Sequence, residues 1–157
     1  MITVIATALC TLAAAIVGGL MQHLTATRTT RAATAERRRR ALAEAIPALL
    51  AAIIRYREHQ YLKFAAFRSE LPDTVEARQA RYAARSAVTS AMDVLFMTTQ
   101  DRNLLQAAQE AVDAATALGD LRVSPGSIPE TEVDDAGLRA RQAHTALREA
   151  SAHYLYR

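Results

Sequence analysis

Leu42, Ile46, Leu49, Ile53, Tyr56, Gln60, Phe64, Phe67 and Leu71 follow one another at steps of three and four. Such spacing places them along one side of a helix and predicts a seam that packs against other elements. The stretch from Thr25 to Leu71 holds no Gly and a single Pro. Pro47 lacks a backbone donor and predicts a kink between Ala43 and Pro47. Pro72 then ends the helix. Asp73 with Glu76 three positions on reads as a capping box for a second helix, reaching Thr98. Its inner face is Ala77, Ala80, Ala84, Val88, Ala91, Met92 and Leu95. Asp101 suits the N-cap of a third helix, with Gly119 as its C-terminal stop. Leu104, Leu105, Ala108, Val112, Ala115 and Leu118 line that helix. Pro125-Gly126 marks a loop, and Pro129 fits the first turn of a fourth helix. There Ala136, Ala140, Ala143, Leu147, Ala150 and Tyr154 repeat at the same spacing.

The N-terminal pattern is different. Ile2 to Met21 carries no charged residue. About 20 apolar residues at ~1.5 Å rise match the ~30 Å hydrocarbon layer, so the segment reads as a transmembrane anchor. A cleaved signal peptide is the rival, weakened because no Lys or Arg precedes Arg28. The expected fold class is therefore all-α: an N-terminal transmembrane helix continuing into an antiparallel bundle of about four helices. The expected divisions are an anchor over 1–24, a basic juxtamembrane stalk over 25–41 and a cytoplasmic bundle over 42–157.

Charge sharpens this expectation. Thr25 to Leu71 holds ten Lys/Arg against four Asp/Glu, and the chain from Pro72 onward holds nine against twelve. Arg28, Arg31, Arg37, Arg38, Arg39 and Arg40 follow the apolar segment and read as lipid contacts. The positive-inside bias then keeps the C-terminal domain in the cytoplasm of a single-pass plasma-membrane protein. Thr7, Thr11, Ala15 and Gly19 recur every four residues and form a strip for helix–helix contact in the membrane, hence self-association. Nucleic-acid readers combine Arg with aromatic or polar groups on one surface. Four consecutive arginines point in four directions, with no aromatic nearby before Tyr56, so direct nucleic-acid binding through them is the weaker reading.

Little in the chain suggests chemistry. Cys10 is the only cysteine, and His23, His59, His144 and His153 stand at no metal-site spacing. No Gly-rich phosphate loop, nucleophile elbow or paired catalytic carboxylate appears, which argues against an enzyme and implies neither cofactor nor metal. Asp93 sits beside apolar Met92 and Val94; buried, its carboxyl would have a raised pKa and could be functional, and the alternatives are exposure on the helix's other side or pairing with an arginine such as Arg85 or Arg102. Arg55, Arg57, His59 and Tyr61 form the most polar-aromatic stretch and are the candidate patch for an unidentified protein partner.

Several stretches carry a resemblance. The opening Met1-Ile2-Thr3-Val4-Ile5-Ala6 leads to Gly18-Gly19-Leu20-Met21-Gln22, then an Arg cluster, Ala41-Leu42-Ala43-Glu44-Ala45-Ile46, and the polar-aromatic run Tyr56 to Phe64. Over about the first 65 residues this resembles the KilB-like small membrane proteins of actinobacterial conjugative plasmids. The resemblance implies a non-enzymatic accessory role in plasmid transfer or spread and a product harmful when overproduced. It brings no catalytic residues. Two alternatives stand beside it: an oligomer that permeabilises the membrane, and a membrane-tethered DNA-binding protein.

Overall fold

The structure is a computed structural model; it describes the backbone of residues 2–68, 72–121 and 130–155 and the side chains of residues 29–68, 72–121 and 130–154. Among the described residues all regular structure is helical: α1 (Ile2–Phe67), α2 (Val75–Thr98), α3 (Arg102–Gly119) and α4 (Glu130–Leu155). The chain divides into two compact units, Met1–Arg39 and Arg40–Arg157.

The second unit is built as the three-and-four spacing predicts. Its main core joins Leu42, Leu49, Ile53 and Tyr56 of α1 to Val88, Met92 and Leu95 of α2, Leu104 and Ala108 of α3, and Leu147 of α4. A smaller core joins Phe64 to Leu118, Val133 and Ala136. The end of α1 thus meets the end of α3 and the start of α4, as antiparallel packing of neighbours requires. Ala111 is fully buried on α3 beside the expected face, and Val133 extends the expected face of α4 towards its start. Alanine at Ala84, Ala108, Ala111, Ala115, Ala136 and Ala140 lets these helices approach closely. Gln60, in the seam of α1, is buried as well.

Helix ends follow local chemistry. Asp101 caps α3, its side chain accepting from the Leu104 amide at 3.0 Å. The α2 cap is one residue later than the capping-box reading. Thr74 accepts from the Ala77 amide at 3.1 Å, because the Asp73 carboxylate is drawn instead to Arg81 at 2.7 Å and Arg78 at 3.4 Å. These two cations hold the Asp73 carboxyl below its ordinary range, Arg81 most strongly. α1 runs without a break through Pro47, which lies on an exposed position. Leu71, Pro125, Gly126 and Pro129 lie outside the described residues.

The transmembrane expectation is corrected. Among the described residues no helix is long and apolar enough to cross a membrane. Where the side chains of α1 are described, Arg31, Glu36, Arg37 to Arg40, Glu44, Arg55, Arg57, Glu58 and Lys63 recur at short intervals and leave no apolar run of membrane length. An all-helical, four-helix architecture therefore replaces the fold of a membrane helix leading into a bundle, and the single-pass plasma-membrane localisation is withdrawn with it. The side chains of residues 1–28, including Thr7, Thr11, Ala15, Gly19 and Arg28, lie outside those described.

Two glycines are explained by packing. A Cβ at Gly119 would overlap the Tyr56 hydroxyl and lie 3.1 Å from Gln60 Cδ; one at Gly137 would overlap the Tyr61 hydroxyl. Gly119 was expected to stop α3 through its conformational freedom. Instead it is the last buried residue of α3, where the α1 aromatic comes closest, and Asp120 is the C-cap. In an unobstructed helix Gly→Ala gains about 1 kcal/mol. At Gly119 the sign reverses: Gly119→Ala lowers stability by ~1–3 kcal/mol through overpacking. The Gly119→Ala/Tyr56→Phe double variant loses less than the sum of the two single variants. Urea denaturation of the three variants checks this; additive losses would show that Tyr56 is not the obstruction.

Candidate cationic cleft

α1, α2 and the end of α3 enclose a cleft of about 320 Å³. From α1, Tyr56, Gln60 and Lys63 face it; Arg78, Arg81, Tyr82 and Arg85 line it from α2, and Gly119 and Asp120 close it. The α2 group follows from sequence spacing. At about 100° per residue, positions 78, 81, 82 and 85 fall within ~100° of the helix surface, beside the buried stripe of Ala84 and Val88.

Lys63 ties α1 to the end of α3. Its ammonium donates to the Gly119 carbonyl at 2.7 Å, where the unpaired carbonyls of a helix C-terminus favour a cation. It also lies 5.5 Å from the Phe64 ring centroid and 5.9 Å from that of Phe67, within cation–π range. Burial pushes its pKa below the ordinary lysine value; Arg81 pushes the same way and Asp120 opposes. Burial raises the Tyr56 phenol, with Arg85 opposing and Asp120 adding to the rise. Arg85 approaches Asp120 at 4.0 Å, both well exposed, so this pair contributes little to stability. Among the described residues the lining thus carries four cations against one carboxylate.

The candidate partner patch separates onto two faces. Arg55 and His59 lie about 200° around α1 from Arg57 and Tyr61. Tyr61 turns to α4, its hydroxyl accepting from Arg141 Nη1 at 3.1 Å. Arg57 also turns inward: its Nε and the His144 Nδ1 are buried and make no hydrogen bond among the described residues. Arg55 is exposed and His59 half-buried. Asp93 is exposed. Arg31 and Arg37 to Arg40 are exposed around α1; reading them as lipid contacts depended on the membrane span corrected above. Among the described residues no cluster of His, Cys, Asp and Glu could hold a metal ion.

Lys63, Arg78, Arg81, Tyr82, Arg85 and Asp120 are not among the site residues that the sequence points to, Arg85 standing there only as an expected partner of Asp93. The α2 stripe was legible as Arg-x-x-Arg-Tyr-x-x-Arg. What was not legible is that the end of α3 folds back to close the cleft.

His144 yields a pH dependence. Burial pushes its pKa below the ordinary 6.5, and Arg57 and Arg148 push it further down. Above about 6.5 the imidazole is neutral in folded and unfolded chains and adds no slope. As pH falls below that value the unfolded chain takes up the proton first. Stability therefore declines until the pH passes the depressed folded-state value. His144→Gln removes this slope. Urea midpoints measured between neutral and mildly acidic pH check it; an unchanged slope in the variant would contradict it.

No curated protein matches the chain, and no solved structure does. A family model described as KilB plasmid transfer protein matches residues 43–155. The match lies mainly beyond the first 65 residues that carried the sequence resemblance and takes in the four-helix unit from α1 to α4. That family is not an enzyme family, and with most of its length inside the match the chain belongs to the KilB plasmid transfer protein family.

Proposed function

We propose that this protein is a non-enzymatic accessory factor of plasmid transfer that acts by binding another protein through its helical unit. The observation that carries this reading is the family match across residues 43–155, which coincides with the packed helices. The chemistry of the cleft supports a binding role, since among the described residues its lining holds no Ser, Cys or His and its carboxylate, Asp120, lies beside Arg85. A protein contact surface is supported at the end of α2. Met97 is 80% exposed and Phe96 50%, and such large apolar groups grouped on a surface favour protein contact.

Deleting the gene lowers the frequency of plasmid transfer between mating cells, and the full chain supplied in trans restores it. A Phe96→Ser/Met97→Ser variant, folded and present at normal level, restores at most about a tenth of that frequency, the order expected for losing a contact anchor. Transfer unchanged by the deletion contradicts the reading.

A further inference from the structure

The arginines at residues 37–40 surround their helix and have no aromatic neighbour in sequence, whereas nucleic-acid readers combine Arg with aromatic or polar groups on one surface. The cleft in the second unit has that combination. Arg78, Tyr82 and Arg85 stand on one face of α2 at spacings of four and three. Tyr82 is 75% exposed, leaving its ring free to stack. Lys63 and Arg81 lie deeper in the same cleft, and among the described residues Asp120 is the only carboxylate in its lining.

We propose that this cleft binds a nucleotide unit of single-stranded nucleic acid, with the base stacked on Tyr82 and the flanking phosphates held by Arg78 and Arg85. Seven residues of helix separate the two arginines, about 10 Å along the axis, and Tyr82 lies between them. A base on the ring thus has a cation on either side, the combination that sequence-tolerant single-strand binders use. The carboxylate pairing with α2 does not block the site. Asp73 reaches Arg78 at 3.4 Å in an exposed pair, and such pairs contribute so little that a phosphate can share or replace the carboxylate. Arg81, with only 16% of its side chain exposed and Asp73 at 2.7 Å, is a positioning residue that fixes the start of α2. Lys63 neutralises the negative end of α3, which would otherwise repel a phosphate. Its ammonium has three donors and gives one to Gly119. The cleft volume of about 320 Å³ is at the small end of ligand sites and suits one nucleotide rather than a duplex.

This inference rests on the cleft and not on the plasmid-transfer reading, so an in vitro test separates the two. The full chain is titrated into a fluorescein-labelled oligothymidylate and anisotropy is recorded at several salt concentrations. Binding is expected at low salt, with log K falling as log salt rises by ~0.7 per phosphate engaged. Tyr82→Ala weakens it about tenfold or more. Arg78→Gln and Arg85→Gln each weaken it and reduce the salt slope by ~0.7. All three positions are exposed, and circular dichroism confirms that the variants fold. Thymidine monophosphate competing as strongly as the oligonucleotide supports the same site with a free nucleotide as its source; competition only by oligonucleotides supports the strand. No binding at low salt overturns the proposal. So does binding insensitive to Tyr82→Ala but lost when Arg37 to Arg40 become Gln, a preference for duplex independent of Tyr82, or equal competition by an acidic peptide.

Discussion

Lys63 and the end of α3 hold the arrangement together. A helix C-terminus leaves carbonyls without intrahelical donors, and here the Gly119 carbonyl receives the ammonium of the only lysine in the chain. Two α1 turns earlier, Tyr56 lies against the same glycine with room for no side chain between them. A glycine in contact with a buried aromatic and a carbonyl bonded to a partly buried cation together fix how α1 meets α3. The net hydrogen bond to a charged group contributes ~1.5–3 kcal/mol, a sizeable share of the 5–15 kcal/mol available to a domain.

The rest of the second unit follows from that contact. Setting Tyr56 against Gly119 brings Gln60 and Phe64 into register with Leu118, and Val133 and Ala136 close the smaller core from α4. Tyr61 repeats the motif one face away, against Gly137. Where α2 runs past this junction its basic stripe meets the end of α3 rather than open solvent, and a helix surface becomes a cleft. The positive character of the cleft therefore depends on tertiary packing as much as on composition. The chain from Pro72 onward is acidic overall, yet three of its arginines converge with Lys63.

Much of the helical architecture was written in spacing. Leu42 to Phe64 on α1 and Ala84 to Leu95 on α2 are buried as their steps of three and four require, because one stripe of each helix must leave water. Asp101 caps α3 as read, its carboxylate accepting from the Leu104 amide; Asp73 does not cap α2, since Arg78 and Arg81 draw it away and leave Thr74 in that role. The membrane span was read from the absence of charge between Ile2 and Met21, and it stands corrected: among the described residues no helix has the required length and apolarity. Of the candidate patch, Arg57 and Tyr61 are turned to α4, a separation that 200° of helix already implied. The cleft was half legible. Its α2 stripe is local and its α3 wall is a contact between residues 56 positions apart, Lys63 and Gly119, which no periodicity encodes.

Native-state hydrogen exchange, read residue by residue on the wild-type chain and on Lys63→Met, tests the central role of this junction most directly. The account predicts that amides from Tyr56 to Phe64 and those in the last turn of α3 exchange with one common free energy, and that Lys63→Met lowers both together. If the amides of α1 opened independently of α3, or if Lys63→Met left the end of α3 equally protected, the junction would not be what holds the helices in place.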